Sequence, residues 1–358
     1  MALSTHYRLM WSLFLSRWSR LTPGVALIIF PLIALALAGC TPDFRPMGPA
    51  IQEPRLNDEA IIAADGARLP FRVWPAMGEP RAIVLALHGF TDYSQAFALP
   101  APAWSTVGIT TYAFDQRGFG EAEPIGRWAG ADTYRADTLA ALAILADRHP
   151  DTPLFLLGES MGGSIAILAA TYPGPPKPYN TELLILPDPE PRPPVADGMI
   201  LIAPGILDRP SLSSTERAFL DIGVNLLPWA MSGRRGVAVL PTDNLALLRA
   251  MGKDPLMQRE VRFDQVYGLL GTLEAATQQV PNIDLPTLVL FGGQDEILPP
   301  KAAEYFAQQT FAQMARGVVE TEIIPEAYHM ILRDRAAAAR HERVGAWILE
   351  RAQALNNP

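Results

Sequence analysis

Short apolar runs recur along the chain at 82–87 (AIVLAL), 109–114 (ITTYAF), 153–157 (PLFLL), 199–203 (MILIA), 286–292 (PTLVLFG) and 318–324 (VVETEII). Most are apolar at nearly every position, the mark of strands buried on both faces and hydrogen-bonded in parallel. The stretches 60–64 and 69–74 flank Asp65-Gly66 and read as a hairpin. Between strands the period changes to that of a helix: 134–148 spaces Leu139, Leu142 and Leu145 on one face, 164–170 (SIAILAA) is apolar after its serine, and 335–354 is amphipathic. Strands alternating with helices predict an α/β fold: a mostly parallel, eight-stranded sheet with helices on both faces.

Two stretches break this alternation. Residues 173–194 hold nine prolines in 22 positions and read as a surface insertion with room for one short strand at 183–186. Residues 207–284, after the sixth strand, read mostly helical. A helical cap there sits over the C-terminal ends of the strands, where ligands bind in such sheets. The expected organisation is a core over 57–206 and 285–358, with the cap between its two parts. Phe219, Leu220, Ile222, Leu226, Leu227, Trp229 and Met231 either form the cap's own core or line an acyl pocket.

Charge separates the first forty residues from the rest. The chain of 358 residues has a formal net charge of −8. Residues 1–39 contain Arg8, Arg17 and Arg20 and no acid, so the remainder is more acidic still. That excludes a basic surface for nucleic acid. An uncharged run from Leu21 to Ala38 follows Arg17 and Arg20 and ends in Leu37-Ala38-Gly39-Cys40. Residues 1–39 read as an export signal, with Met1 and Met10 both open as the start. The leucine, two small residues and cysteine resemble the lipobox of bacterial lipoproteins. That resemblance implies cleavage before Cys40, lipidation of this single cysteine, and a membrane-anchored catalytic domain in the bacterial cell envelope, outside the cytoplasm. An uncleaved transmembrane anchor is the alternative, though the run is short and contains Pro23 and Pro31. Residues 40–56, with four prolines, read as an extended tether.

The chemistry centres on 154–163 (LFLLGESMGG), a strand, a turn with G-x-S-x-G, and a helix. In that context Ser160 is a candidate nucleophile on a strained turn, with Gly158 and Gly162 giving it room. A serine needs a base. His6 lies in the signal, while His149 and His341 lie on helices and read as surface or locally paired. His88 reads as a structural imidazole. His329, in the loop after the last strand, is the candidate base. Asp295, after the strand at 286–292, is the candidate acid, with Glu296 as the fallback and Asp284 at the wrong end of that strand. The chain order Ser160, Asp295, His329 is that of the α/β-hydrolases and not of the familiar serine proteases. By position, the oxyanion donors are the N–H groups of Phe90 and Met161. Asp115 and Arg117 read as braces under the site. No metal-ligand spacing and no phosphate-binding loop appears, so neither metal nor cofactor is expected.

The motifs HGF, DQRGFG, GESMGG, FGGQDEILP and AYHM, with Asn244–Leu248 and Lys253-Asp254-Pro255-Leu256 in the cap, resemble the monoacylglycerol lipase and lysophospholipase branch of the α/β-hydrolases, also grouped with serine aminopeptidases. The resemblance spans roughly 61–349. It implies hydrolysis of lipid-like carboxylic esters, monoacylglycerol or lysophospholipid, through an acyl-serine. A peptidase or amidase on the same scaffold is the alternative. It calls for acidic residues converging on an amine, with Glu216 and Asp221 as candidates. A non-catalytic binding lipoprotein is the third reading. Nothing in the sequence fixes an oligomeric state.

Overall fold

The computed structural model describes residues 42–171, 196–206, 224, 227–233, 239–298 and 301–356. The lipobox with Cys40, the proline-rich insertion with its expected strand, and most of the first part of the cap lie outside the described residues.

Six parallel strands carry the fold: β4 (Ala82–Leu87), β5 (Ile109–Phe114), β6 (Leu154–Glu159), β7 (Gly198–Ile202), β10 (Thr287–Gly292) and β11 (Val319–Ile324). Every residue of β4, β5, β6 and β7 is buried, as their unbroken apolar runs require. The hairpin strands β2 (Ala60–Ile62) and β3 (Arg68–Trp74) extend the sheet antiparallel through β3 and β5. A further strand, β1 (Arg55–Leu56), pairs with β2 and makes the sheet nine-stranded, in the order β1-β2-β3-β5-β4-β6-β7-β10-β11. The sequence pattern predicts eight strands. Two residues are too few to show a hydrophobic period, so this edge strand exists through pairing alone.

Helices α1 (Pro100–Thr106), α2 (Ala131–Arg148), α3 (Met161–Thr171) and α8 (Ala337–Asn356) cover the sheet, and α6 (Ala302–Gln309) and α7 (Phe311–Ala315) lie between β10 and β11 in the chain. Register makes the relevant strand ends level. Leu87 of β4 stands opposite Gly158 of β6, Glu159 opposite Ile202 of β7, and Gly292 of β10 opposite Ile324 of β11. The loops that leave those ends therefore emerge on one edge of the sheet.

The described part of the cap contains α4 (Leu245–Met251) and α5 (Phe263–Gln279), with α5 packed along α3. It also holds a two-stranded antiparallel ribbon, β8 (Met231–Gly233) with β9 (Glu260–Arg262). Three-residue strands leave no readable period in a segment that otherwise reads helical.

The stretch before β1 is not the free spacer that its prolines suggest. The Asp43 carboxylate pairs with Arg127, and the Asp43 N–H donates to Asp264 Oδ2 at 3.3 Å. The N–H groups of Arg45, Met47 and Gly48 donate to Trp128 O at 2.7 Å, Thr133 Oγ1 at 2.9 Å and Asp65 Oδ2 at 3.0 Å. Proline density reports an extended backbone, and these partners, remote in sequence, hold that backbone against the body.

Arg117 locks the hairpin to α2. Its guanidinium donates to Asp65 at 2.6 and 2.9 Å and to Asp137 at 2.7 and 2.9 Å, and it is 5% exposed. Burial pushes the Asp137 carboxyl up to about 6 even with the guanidinium against it. Arg117→Met strands two carboxylates in the interior, so stability falls by about 3–5 kcal/mol in thermal or urea unfolding. A loss below about 1 kcal/mol would show that the network is dispensable.

Candidate active site

β6 ends at Glu159 and α3 begins at Met161, so Ser160 alone makes the turn. Its φ is +54°, a left-handed conformation unusual for a residue with a side chain. The turn is possible because its neighbours lack Cβ atoms. A Cβ on Gly158 would stand 2.3 Å from the Gly162 carbonyl oxygen, and one on Gly162 would stand 2.2 Å from that of Leu87. The Ser160 N–H donates to Ile202 O at 2.9 Å, and its carbonyl accepts from Gly163 and Gly205, each at 2.9 Å. The end of β7 and the chain after it thus hold the strained residue from both sides.

His329 and Asp295 arrive on the loops after β11 and β10. His329 Nε2 lies 3.0 Å from Ser160 Oγ, and Nδ1 lies 2.7 Å from Asp295 Oδ2. The side chains of His329 and Asp295 are each only 6% exposed. Burial raises the Asp295 pKa. The His329 hydrogen bond and the N–H groups of Leu298 and Ile297 overcome that, and the carboxyl sits below its ordinary value. Those N–H groups reach Oδ1 at 3.1 and 2.8 Å. An ionised Asp295 accepts, so Nδ1 carries the proton and Nε2 is free to accept from the serine hydroxyl.

The loop after β4 closes the site. A Cβ on Gly89 would lie 3.3 Å from Ser160 Cβ, which brings the Phe90 backbone beside the serine. The Phe90 ring is fixed edge-on to Phe119 at 5.7 Å between centroids, with Trp128 at 6.3 Å. Both Phe90 and Met161 line a cavity of about 1180 Å³ that Ser160 and His329 also face. Its apolar wall includes Leu248 and Met251 from α4, Leu269, Leu270 and Leu273 from α5, and Leu298.

The chain matches the family described as serine aminopeptidase, S33, over residues 78–336. It belongs to that family. Its fold is that of the α/β-hydrolases, and its similarity to monoglyceride lipases supports a lipase-like serine ester hydrolase. The mouse monoglyceride lipase is 27% identical over 299 residues, covering 81% of this chain and 90% of the relative. The monoacylglycerol lipase of Mycolicibacterium smegmatis is 22% identical over 308 residues, covering 82% and 97%. Among solved structures, the monoacylglycerol lipase of Paleococcus ferrophilus superposes with a TM-score of 0.62 at 19% identity, covering 79% of this chain and 99% of that one.

Within this S33 chain the remaining candidates separate cleanly. Glu296 is exposed, and Asp284 forms an exposed ion pair with Arg316 at 3.3 Å, away from His329. Asp115 accepts from the N–H groups of Ser94 and Glu121, both at 2.9 Å, and braces the loop after β4. Arg117 braces the hairpin instead. His149 pairs with the Tyr112 hydroxyl at 3.1 Å, and the His341 ring donates to Leu332 O at 2.8 Å. Of the seven apolar cap residues singled out in the sequence, Leu227, Trp229 and Met231 are exposed and off the cavity wall; the other four lie outside the described residues. Among the described residues, the cap helices that contribute to the wall are α4 and α5. Sequence pattern also gives no sign of the ion cluster of Asp92, Glu159 and Arg333, because its members are distant in the chain.

His88 ties the loop after β4 to the end of β5. Its Nδ1–H donates to Gly89 O at 2.8 Å, and Nε2 accepts from the Gln116 N–H at 3.0 Å. Both contacts demand the neutral ring, and complete burial holds its pKa below the usual histidine value. A group depressed in the folded state gives stability that is present above its unfolded pKa, near 6.5, and is lost as pH falls below that value toward the folded one. The wild-type melting temperature should therefore fall more steeply from pH 7.5 to 5 than that of His88→Gln. Parallel curves would refute this assignment.

Proposed function

We propose that the protein hydrolyses carboxylic esters of single-chain lipids, monoacylglycerols or lysophospholipids, through an acyl-Ser160 intermediate. The observation that carries this reading is the hydrogen-bonded chain Ser160–His329–Asp295 opening on a large apolar cavity. The names of the relatives agree with it. As Ser160 Oγ bonds to the carbonyl carbon, His329 Nε2 takes its proton. Asp295 holds the tautomer and stabilises the imidazolium. The N–H groups of Phe90 and Met161 receive the oxyanion. The ester C–O bond then breaks, and the alcohol leaves with the proton from His329. Water, deprotonated in its turn by His329, releases the fatty acid and restores Ser160. No step calls for a metal or cofactor.

The family's own description favours a second reading, cleavage of an aminoacyl bond. A bound α-amine needs a free carboxylate. Among the described residues, the two carboxylates on the cavity wall, Asp92 and Glu159, are each bonded to Arg333 at 2.6 Å, and the other charged lining residues, Arg259 and Lys301, are cations. Glu216 and Asp221 lie outside the described residues. This charge distribution supports the ester reading. The intact hydrogen-bonded chain likewise disfavours a purely binding role.

We also propose that Cys40 carries the lipid that its lipobox-like context implies, holding the domain at a membrane of the bacterial envelope. Asp43, already fixed to the body, is three residues from Cys40, so an anchored Cys40 would sit within about 10 Å of it. Two acyl chains suffice for stable anchoring.

Ser160→Ala should abolish p-nitrophenyl ester turnover and fluorophosphonate labelling in a protein that still folds; retained turnover would remove the site. Asp295→Asn should cost about 10⁴-fold in kcat, and Glu296→Gln little. The reverse order would move the acid. Across an ester series kcat/KM should climb with chain length, by up to about fourfold per methylene. Aminoacyl-anilide turnover with poor ester turnover would favour the peptidase reading. Mass spectrometry of the N-terminal peptide tests the anchor: a diacylglyceryl-modified Cys40 that disappears in Cys40→Ser supports it, and an unmodified or uncleaved segment refutes it.

A further inference from the structure

The oxyanion donors assigned above belong to two separate segments. Phe90 lies on the loop after β4, and Met161 on the turn after β6. How far apart their N–H groups stand depends on how those segments are held together. β4 and β6 pair directly as far as Leu87 and Gly158, and beyond that pairing a buried side chain bridges the two segments. Arg333, 4% exposed and four residues past His329, donates through Nη1 to Asp92 Oδ2 and through Nη2 to Glu159 Oε1, each at 2.6 Å. Asp92 is two residues past Phe90, and Glu159 is two before Met161. A single guanidinium thus spans the segments of both donors and of the base.

Arg333 is itself held. Its carbonyl accepts from Asn244 Nδ2 of the cap at 3.2 Å, and the neighbouring Asp334 accepts from the Tyr328 N–H at 2.9 Å, just before His329. The Asp92 Oδ1 accepts from the Tyr93 N–H at 2.9 Å, which fixes the carboxylate within its loop. The cluster is not one that stability would select. Two carboxylates share one guanidinium in the interior, and Arg333 Nε and Glu159 Oε2 have no hydrogen-bond partner among the described residues. Such clusters are often no better for stability than apolar packing. Their use lies in fixed geometry, and the planar fork of an arginine can hold two carboxylates at a set distance and angle, which a lysine ammonium cannot. The guanidinium also offsets negative charge beside the place where the oxyanion forms.

We propose that Arg333 is a positioning residue of the ester hydrolysis: through Asp92 and Glu159 it sets the spacing of the Phe90 and Met161 N–H groups and keeps them in register with His329. The proposal rests on Ser160 being the nucleophile and does not depend on which acyl chain or head group is cleaved.

The test uses Arg333→Lys, Arg333→Ala and the neutral triple variant R333M/D92N/E159Q, which keeps similar side-chain sizes and removes all three charges. The probes are p-nitrophenyl butyrate and a fluorophosphonate, with thermal unfolding to establish the folded fraction. For Arg333→Lys, kcat and the labelling rate constant should fall together by about 10–100-fold while KM stays within about twofold, since displacement of reacting groups by about 1 Å costs this much. The triple variant should be folded and equally slow. Guanidinium at millimolar concentration should restore part of the labelling rate of Arg333→Ala and none of that of Arg333→Lys. Should the lysine variant or the folded triple variant react at the wild-type rate, or should the loss match the unfolded fraction, the proposal is overturned. Activity retained in Ser160→Ala would instead sink the nucleophile assignment beneath it.

Discussion

Ser160 is held at a φ of +54°, between two glycines whose positions tolerate no Cβ, and the rest of the site is arranged around that constraint. A left-handed residue with a side chain costs about 1–3 kcal/mol, and it persists only where the surroundings over-determine it. Here they do so through β6 and α3 on either side, the carbonyl of Ile202, and the N–H of Gly205. The return is directional. The side chain leaves the sheet at the level where the loops after β4, β10 and β11 also leave it. Parallel pairing sets that level, so the sheet's register and the turn's strain together decide where Ser160 Oγ meets His329.

The elements legible in the sequence were those with a local cause. Continuous apolar runs reported the buried parallel strands, and Asp65-Gly66 reported the hairpin. The glycines around Ser160 reported the turn, and the positions of Asp295 and His329 just past two strands reported their loops. What stayed hidden was made by distant residues meeting. The edge strand at Arg55–Leu56 and the ribbon in the cap are too short to show a period. Arg333 looks like any arginine near a helix start until folding sets it between Asp92 and Glu159. The more apolar, aromatic first part of the cap reads as either the cap's own core or cavity wall, whereas among the described residues α4 and α5 contribute to the wall through leucines whose spacing reads as ordinary helix packing.

Charge and burial divide the labour around this edge. The acids described at this site are engaged: Asp295 by His329, and Asp92 and Glu159 by Arg333. Among the described residues the rest of the wall is mostly apolar, with Arg259 and Lys301 as its other charged members. A site of this kind gains most from a substrate whose bulk is apolar and whose polarity is concentrated at one bond. The cap is also not an independent lid. Pro241 accepts from the Met330 N–H at 2.8 Å, and Gln258 donates to Thr91 O at 3.1 Å, so the cap is stitched to the histidine loop and to the loop after β4.

The docked N-terminal strip has a geometric consequence of its own. Asp43 meets Arg127 and Asp264, and Arg45 meets the carbonyl of Trp128, whose ring packs near Phe90. The chain therefore enters the domain on the rim of the reactive face and not from the far end of the sheet. An attachment made close ahead of Pro42, as proposed for Cys40, would act beside that rim. Pulled toward a surface by that end, the molecule would present its catalytic rim first, so that orientation would come from the point of attachment and not from a separate recognition event.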